Sequence, residues 1–178
     1  ALLARITGRI EAVPGVREAA VVDILPMSGS FNGNPYLLEG QPEPAEGESK
    51  SAETRAAGPG YFAAQGIRVL HGRDVGQADG ADAPPVVWVN EALLRREGRD
   101  PATAVGTLLR AWGDSPWRTI VGVVGDVTQF SLDLEPDPAV YFALPQAPLW
   151  MQDEPWVVVR ASRDAGALGP EIRAAIAE

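Results

Sequence analysis

The apolar residues of this chain come in short blocks closed by glycine or proline, and that punctuation constrains the fold more than any single motif does. Arg17 to Leu25 is largely apolar and valine-rich, which suits a buried strand, and Pro26 ends it. Tyr36 to Glu39 reads as a second strand, and Ser51 to Ala57, with its polar residues, as an edge strand. Pro85 to Val89 runs straight into a helix whose N-cap is Asn90. Val105 to Trp112 and Trp117 to Val127 flank the turn Gly113-Asp114-Ser115-Pro116 and read as a β-hairpin. Pro138 to Leu144 and Trp156 to Ala161 supply two more strands.

Helical spacing is confined to a few places. Leu2, Leu3, Ile6, Ile10 and Val13 form one face before Pro14-Gly15 stops the helix, and a short helix is expected between Pro59 and Gly66. Leu168, Ile172, Ala175 and Ile176 share a face near the end, where Pro170 either opens that helix or breaks one begun near Asp164. Helices and strands mix without strict alternation, so α+β is expected rather than a doubly wound parallel sheet.

Composition narrows the function. A length of 178 residues allows one domain or two small lobes, and 46% hydrophobic residues can build a core. The net charge of -9 repels phosphate, so nucleic acid is not an expected partner. With no cysteine, disulfides and thiolate chemistry are excluded. No stretch approaches the roughly 18 to 20 apolar residues of a membrane span. The chain opens at Ala1 inside a helical pattern and stops at Glu178 without a C-cap glycine, as expected for a piece of a longer protein.

No residue pattern assigns a catalytic, cofactor-binding or metal site. His71 is the only histidine and has no evident partner, and Pro26-Met27-Ser28-Gly29-Ser30 is not a serine-nucleophile elbow. Gly122-Val123-Val124-Gly125 is neither a dinucleotide fingerprint nor a P-loop and reads as a strand bend or bulge. Asp74, Asp79 and Asp82 lack the spacing of an EF-hand loop and read as a solvated acidic turn, as do Asp133, Glu135 and Asp137. Trp112, Trp117, Trp150 and Trp156 lie near strand ends, where packing is the default reading over a ligand platform. Within Pro148-Leu149-Trp150-Met151, an apolar run in a loop, Leu149, Trp150 and Met151 are the candidate partner contact.

The blocks Leu25-Pro26-Met27-Ser28-Gly29, Pro59-Gly60-Tyr61-Phe62-Ala63-Ala64-Gln65-Gly66-Ile67, Gly72-Arg73-Asp74, Pro85 to Leu93, Thr119 to Val127, Val140-Tyr141-Phe142 and Val157 to Arg160 occur in an order that resembles the MacB-like periplasmic core domain of MacB/FtsX-type ABC transporter permeases. The resemblance covers about Leu25 to Ser162 and departs at Asp100 to Gly106, where relatives pass more directly from Asp-Pro to Gly. It implies a porter-like subdomain of helices on a mixed sheet, residues 1–58 with 152–178, and a second mixed α/β, Sabre-like subdomain, residues 59–151. It also implies a non-catalytic domain on the periplasmic or extracytoplasmic face of the bacterial inner membrane, part of an integral membrane protein. Its partners would be its own transmembrane helices, a cytoplasmic ABC ATPase and a periplasmic adaptor or lipoprotein.

The job implied is coupling of transmembrane movement to that partner or to cargo during export. The alternative is a lipid- or peptide-capturing domain with a cleft between the lobes. Either way ATP binding is not expected here, since no Walker A motif occurs and Lys50 is the only lysine. An insert must return its chain to the bilayer, so Ala1 and Glu178 are expected on one side.

Overall fold

Two five-residue strands in which every residue is buried, Val86–Asn90 and Ala139–Ala143, set the centre of the molecule. The computed structural model describes residues 2–45, 47–112, 115–129 and 133–177. In chain order the elements are α1 (Leu2–Glu11), β1 (Val16–Val22), β2 (Gly33–Leu38), β3 (Ser51–Ala57), α2 (Tyr61–Gln65), β4 (Val69–Gly72) and β5 (Val86–Asn90). There follow α3 (Glu91–Arg96), α4 (Pro101–Ala104), β6 (Leu108–Ala111), β7 (Arg118–Val124), β8 (Ala139–Ala143), β9 (Trp156–Ala161) and α5 (Ala165–Ala177). The architecture is α+β on a mixed sheet.

The nine strands join in one sheet of order β2-β6-β7-β5-β8-β3-β1-β9, with β4 added on β7. A further pairing of β2 with β3 closes a hydrogen-bonded circuit through β6, β7, β5 and β8. The pairs β3–β8 and β5–β7 are parallel, and the remaining pairs are antiparallel. Alternation along the strands divides the core. Leu38, Ala56, Val87, Val89, Leu109, Ile120, Val140 and Phe142 pack on one face with Leu93 and Leu94 of α3. Val22, Ala57, Trp88, Tyr141 and Ala143 pack on the other under Tyr61 and Phe62 of α2.

Local sequence explains most element ends. Asn90 accepts from the Leu93 amide at 3.1 Å as the N-cap of α3, and also from the Ala139 amide at 2.8 Å, so one side chain ties β5, α3 and β8 together. Gly66 closes α2 in the left-handed region at φ 74°. The expected hairpin is β6–β7, with Leu108 opposite Thr119; Gly113 and Asp114 of its turn lie outside the described residues. The Asp100–Gly106 departure is a capped helical turn, α4, whose Ala102 amide donates to Asp100 at 2.9 Å. Pro170 neither opens nor breaks the last helix but sits inside α5, which begins at Ala165 after Asp164 accepts from the Gly166 amide.

Ser51–Ala57 corrects the edge-strand expectation: β3 is interior, with β8 along one side and β1 and β2 on the other. Its charged residues enter the interior because they neutralise each other, Arg55 Nη1 lying 2.6 Å from Glu53 Oε2 with both side chains buried. The β3–β8 and β2–β6 ladders link residues of the 1–58 segment to residues of the 59–151 segment.

The terminal helices meet at one corner. β1 and β9 pair from Val16 opposite Ala161 to Val22 opposite Trp156. The Gly15 carbonyl accepts from the Ser162 amide at 2.8 Å, and the Pro14 carbonyl accepts from Arg163 Nε at 2.9 Å. The end of α1 is thereby bonded to the chain entering α5, and the two helices contact each other. Ala1 and Glu178 themselves lie outside the described residues. Among those residues no helix is long and apolar enough to cross a membrane.

Candidate functional site

The turn before β9 is built from an apolar run that its own backbone bonds hold in shape. Leu149–Met151 forms a single 3₁₀ turn, closed by Met151 N to Pro148 O at 3.0 Å and Gln152 N to Leu149 O at 2.8 Å. Gln152 Nε2 donates to the Ala147 carbonyl at 2.7 Å and fixes the exit. Leu149 is 79% exposed and Trp150 54%, whereas Met151 is 2% exposed and joins the core as the anchor of the turn.

Trp150 does not project freely. Its ring meets Trp112 edge-on with centroids 6.2 Å apart, and Trp112 lies 4.6 Å from Phe142 of β8. Three aromatic residues thus stack from the core to the surface, an arrangement that limits the side-chain freedom of the outermost one. Trp112 holds φ at 56°, the left-handed region that non-glycine residues rarely occupy, and its indole Nε1 is buried without a partner among the described residues. Backbone strain and an unpaired buried donor at one residue are features that concentrate at functional sites. The sequence marks Trp112 only as a tryptophan near a strand end; its link to Trp150 depends on the fold.

Beside this turn a cleft of about 460 Å³ opens beneath α1. Leu2, Leu3 and Ala4 of α1 line it together with Val21, Pro59, Val75, Asp79, Leu144 and Gln152. Its one charged lining residue, Asp79, is occupied: Arg73 Nη1 and Nη2 donate to its two carboxylate oxygens at 2.7 and 2.5 Å, and the Gly76 amide donates at 2.9 Å. Burial pushes this carboxyl up, but the arginine and amide bonds outweigh it and hold it below the usual range. The acidic turn is therefore partly an internal ion pair rather than wholly solvated, and among the described residues no cluster of histidine or carboxylate side chains could hold a metal.

A second polar cluster lies at the junction of β1 and β3. Asp23 Oδ1 accepts from the Ala56 amide at 2.9 Å and the Ile24 amide at 2.8 Å, while Oδ2 is buried without a partner. Burial pushes this carboxyl up to about 6 despite the neighbouring Arg55 guanidinium. Arg55 Nη2 donates to Gln129 Oε1 at 3.1 Å, and Tyr141, opposite Arg55 in the β3–β8 register, is pushed up to about 12 by burial. These groups join strands, and none of them lines the cleft beneath α1.

The remaining candidates separate. His71 is exposed on β4. Gly122 sits beside a β-bulge, where Val87 pairs with Ile120 but Trp88 with Gly122, so Val121 is the extra residue. A Cβ on Gly122 would overlap the Trp88 indole and the Arg73 carbonyl, which explains the glycine by close approach of a side chain rather than by phosphate binding. Glu97, which the sequence reading did not single out, accepts from Tyr36 Oη at 2.5 Å, Gln41 Nε2 at 2.6 Å and Lys50 Nζ at 2.8 Å, and pins the connector after β2 to α3.

Comparison with known proteins agrees with this architecture. The family model described as MacB-like periplasmic core domain matches residues 3–176. The solved periplasmic region of MacB from Actinobacillus actinomycetemcomitans superposes with a TM-score of 0.63 at 12% identity, over 97% of this chain and 71% of that one. The extracellular domain of the noncanonic ABC-type transporter YknZ from Gram-positive bacteria gives 0.58 at 12% identity, over 97% and 76%. No curated protein sequence matches this chain. With the family model spanning nearly the whole length, the chain belongs to the MacB-like periplasmic core domain family and is the extracytoplasmic domain of a MacB/FtsX-type ABC transporter permease.

Proposed function

We propose that this domain carries displacement from transmembrane helices, driven by a cytoplasmic ATPase, to an extracytoplasmic adaptor or lipoprotein, without itself performing catalysis. The observation that supports this most is a short, continuous mechanical path. α5 follows β9, β9 follows the Leu149–Met151 turn within five residues, and the segment leading from β9 into α5 is bonded through Ser162 to Gly15 in the segment between α1 and β1. Movement of either terminal helix reaches the turn through one strand ladder. In this reading residues 1–58 and 152–178 form the lobe that receives the movement, residues 59–151 form the second lobe, and Leu149 and Trp150 contact the partner with Met151 as their anchor. The test is photo-crosslinking from position 150 of the full-length transporter in its native membrane. Adducts to a protein partner whose yield changes when the ATPase is inactivated are expected; adducts to lipid alone would oppose the proposal.

The cleft beneath α1 favours a second reading, capture of a lipid or peptide. A volume of about 460 Å³ and a mostly apolar lining fall in the range of small-molecule sites. Titration with an apolar fluorophore decides it: saturable binding that Ala4→Trp abolishes by filling the cleft would support capture.

A further inference from the structure

We propose that the surface formed by Leu149, Trp150, Asp153 and Glu154 is a docking site for a basic, apolar segment of an extracytoplasmic protein. This rests on the docking reading above and adds the chemistry of the partner. Asp153 and Glu154 follow the turn directly, and no lysine or arginine lies between Thr119 and Val159. Asp153 and Glu154 are exposed within five residues of the exposed Leu149 and Trp150, so apolar and anionic groups share one short stretch of surface.

The arginines of the hairpin are engaged elsewhere and do not neutralise Asp153 and Glu154. Arg110 pairs with Glu43 at 2.5 Å and lies over Trp117, while Arg118 is buried, donates to the Gln146 carbonyl at 3.1 Å and lies over Phe142. A partner that covers Trp150 gains most if it brings its own cations to Asp153 and Glu154, because complementary charge guides encounter and register while the aromatic anchor carries affinity. The stack of Trp150 on Trp112 and Phe142 holds that anchor in place before contact, which reduces the ordering cost on binding. The acidic flank also argues against a lipid surface as occupant, since anionic headgroups would be repelled.

The experiment uses the 178-residue chain and two synthetic amphipathic peptides of one apolar pattern, one carrying lysines and the other glutamates on its polar face. The lysine peptide is expected to bind and to weaken about tenfold with Trp150→Ala. Binding should weaken severalfold with Asp153→Asn/Glu154→Gln, fall with added salt, and stay unchanged with Asp82→Asn/Glu48→Gln, which removes as much charge elsewhere. Trp150→Phe should retain most of the affinity, separating loss of contact from loss of folding. If the glutamate peptide binds as well and still depends on Trp150, the surface docks partners but the basic class is wrong. If neither peptide depends on Trp150, or if neutral phosphatidylcholine vesicles bind through Trp150 while the lysine peptide does not, the proposal and the docking reading fall together.

Discussion

Asp23 is the residue whose chemistry most directly changes with pH. Its carboxyl is raised by burial from 3.8 to about 6, so the folded chain holds this proton more tightly than the unfolded chain does. The associated stability is fully present below about pH 4 and is lost as pH rises through about 6, a difference on the order of 3 kcal/mol. Asp23→Asn keeps the acceptor for the Ala56 and Ile24 amides and removes the charge. Urea midpoints at pH 5 and pH 7.5 are therefore expected to show the wild type losing stability between them through this residue and the variant losing much less. The opposite trend, a variant weaker by the same amount at both values, would mean that the ionised carboxylate is well accommodated. None of this was legible in the sequence, where Asp23 follows a valine-rich strand and nothing marks it as buried. Burial of Glu53 and Arg55 was hidden for the same reason: a charged residue reads as exposed until its partner is placed beside it.

At the scale of elements, the signals that survived are those carried by local chemistry. The β6–β7 hairpin, the Asn90 cap and the Gly66 stop each depend on residues within a few positions of one another. The β2–β3 closure and the interior position of β3 depend on contacts made by the whole sheet, which no local pattern encodes. Gly122 lies between these cases, since the sequence suggests a bulge and the fold supplies the Trp88 ring that enforces it. Gly122→Ala should destabilise the domain by about 1–3 kcal/mol through that overlap. Thermal unfolding measures this, and an unchanged midpoint would show that β7 can shift without loss.

Pro170 gives the opposite case, a helix built against propensity. Inside α5 it removes one amide donor and crowds the preceding turn, at a cost of up to about 3 kcal/mol. Pro170→Ala should raise the unfolding midpoint and protect the Gly166 to Arg173 amides from hydrogen exchange. No gain in protection would show that the start of α5 is already fully formed with proline present.

At the scale of the whole molecule, a set of joined elements rather than a pocket carries the proposed mechanical role. α1, β1, β9 and α5 share a corner at Gly15 and Ser162, the sheet continues from them through β3 into the closed circuit, and the Leu149–Trp150 turn sits where β9 begins. Family membership was legible from the order of short motifs, whereas the aromatic stack under Trp150 was not, because Trp112, just after β6, and Phe142, in β8, are far apart in the chain. Within this domain there is no cysteine, so a cysteine introduced here for a spin or fluorescent label is unique in the domain. In the full-length transporter with its ATPase, reconstituted in nanodiscs, the distance between labels at Arg5 and Glu154 should change by less than about 2 Å between nucleotide-free and ATP-bound states. Over the same step, energy transfer from a label at Glu154 to acceptor lipids in the bilayer should change, as the domain moves as a body. A fixed height above the bilayer, with the Arg5 to Glu154 distance altered instead, would contradict the account and identify the cleft beneath α1 as the moving part.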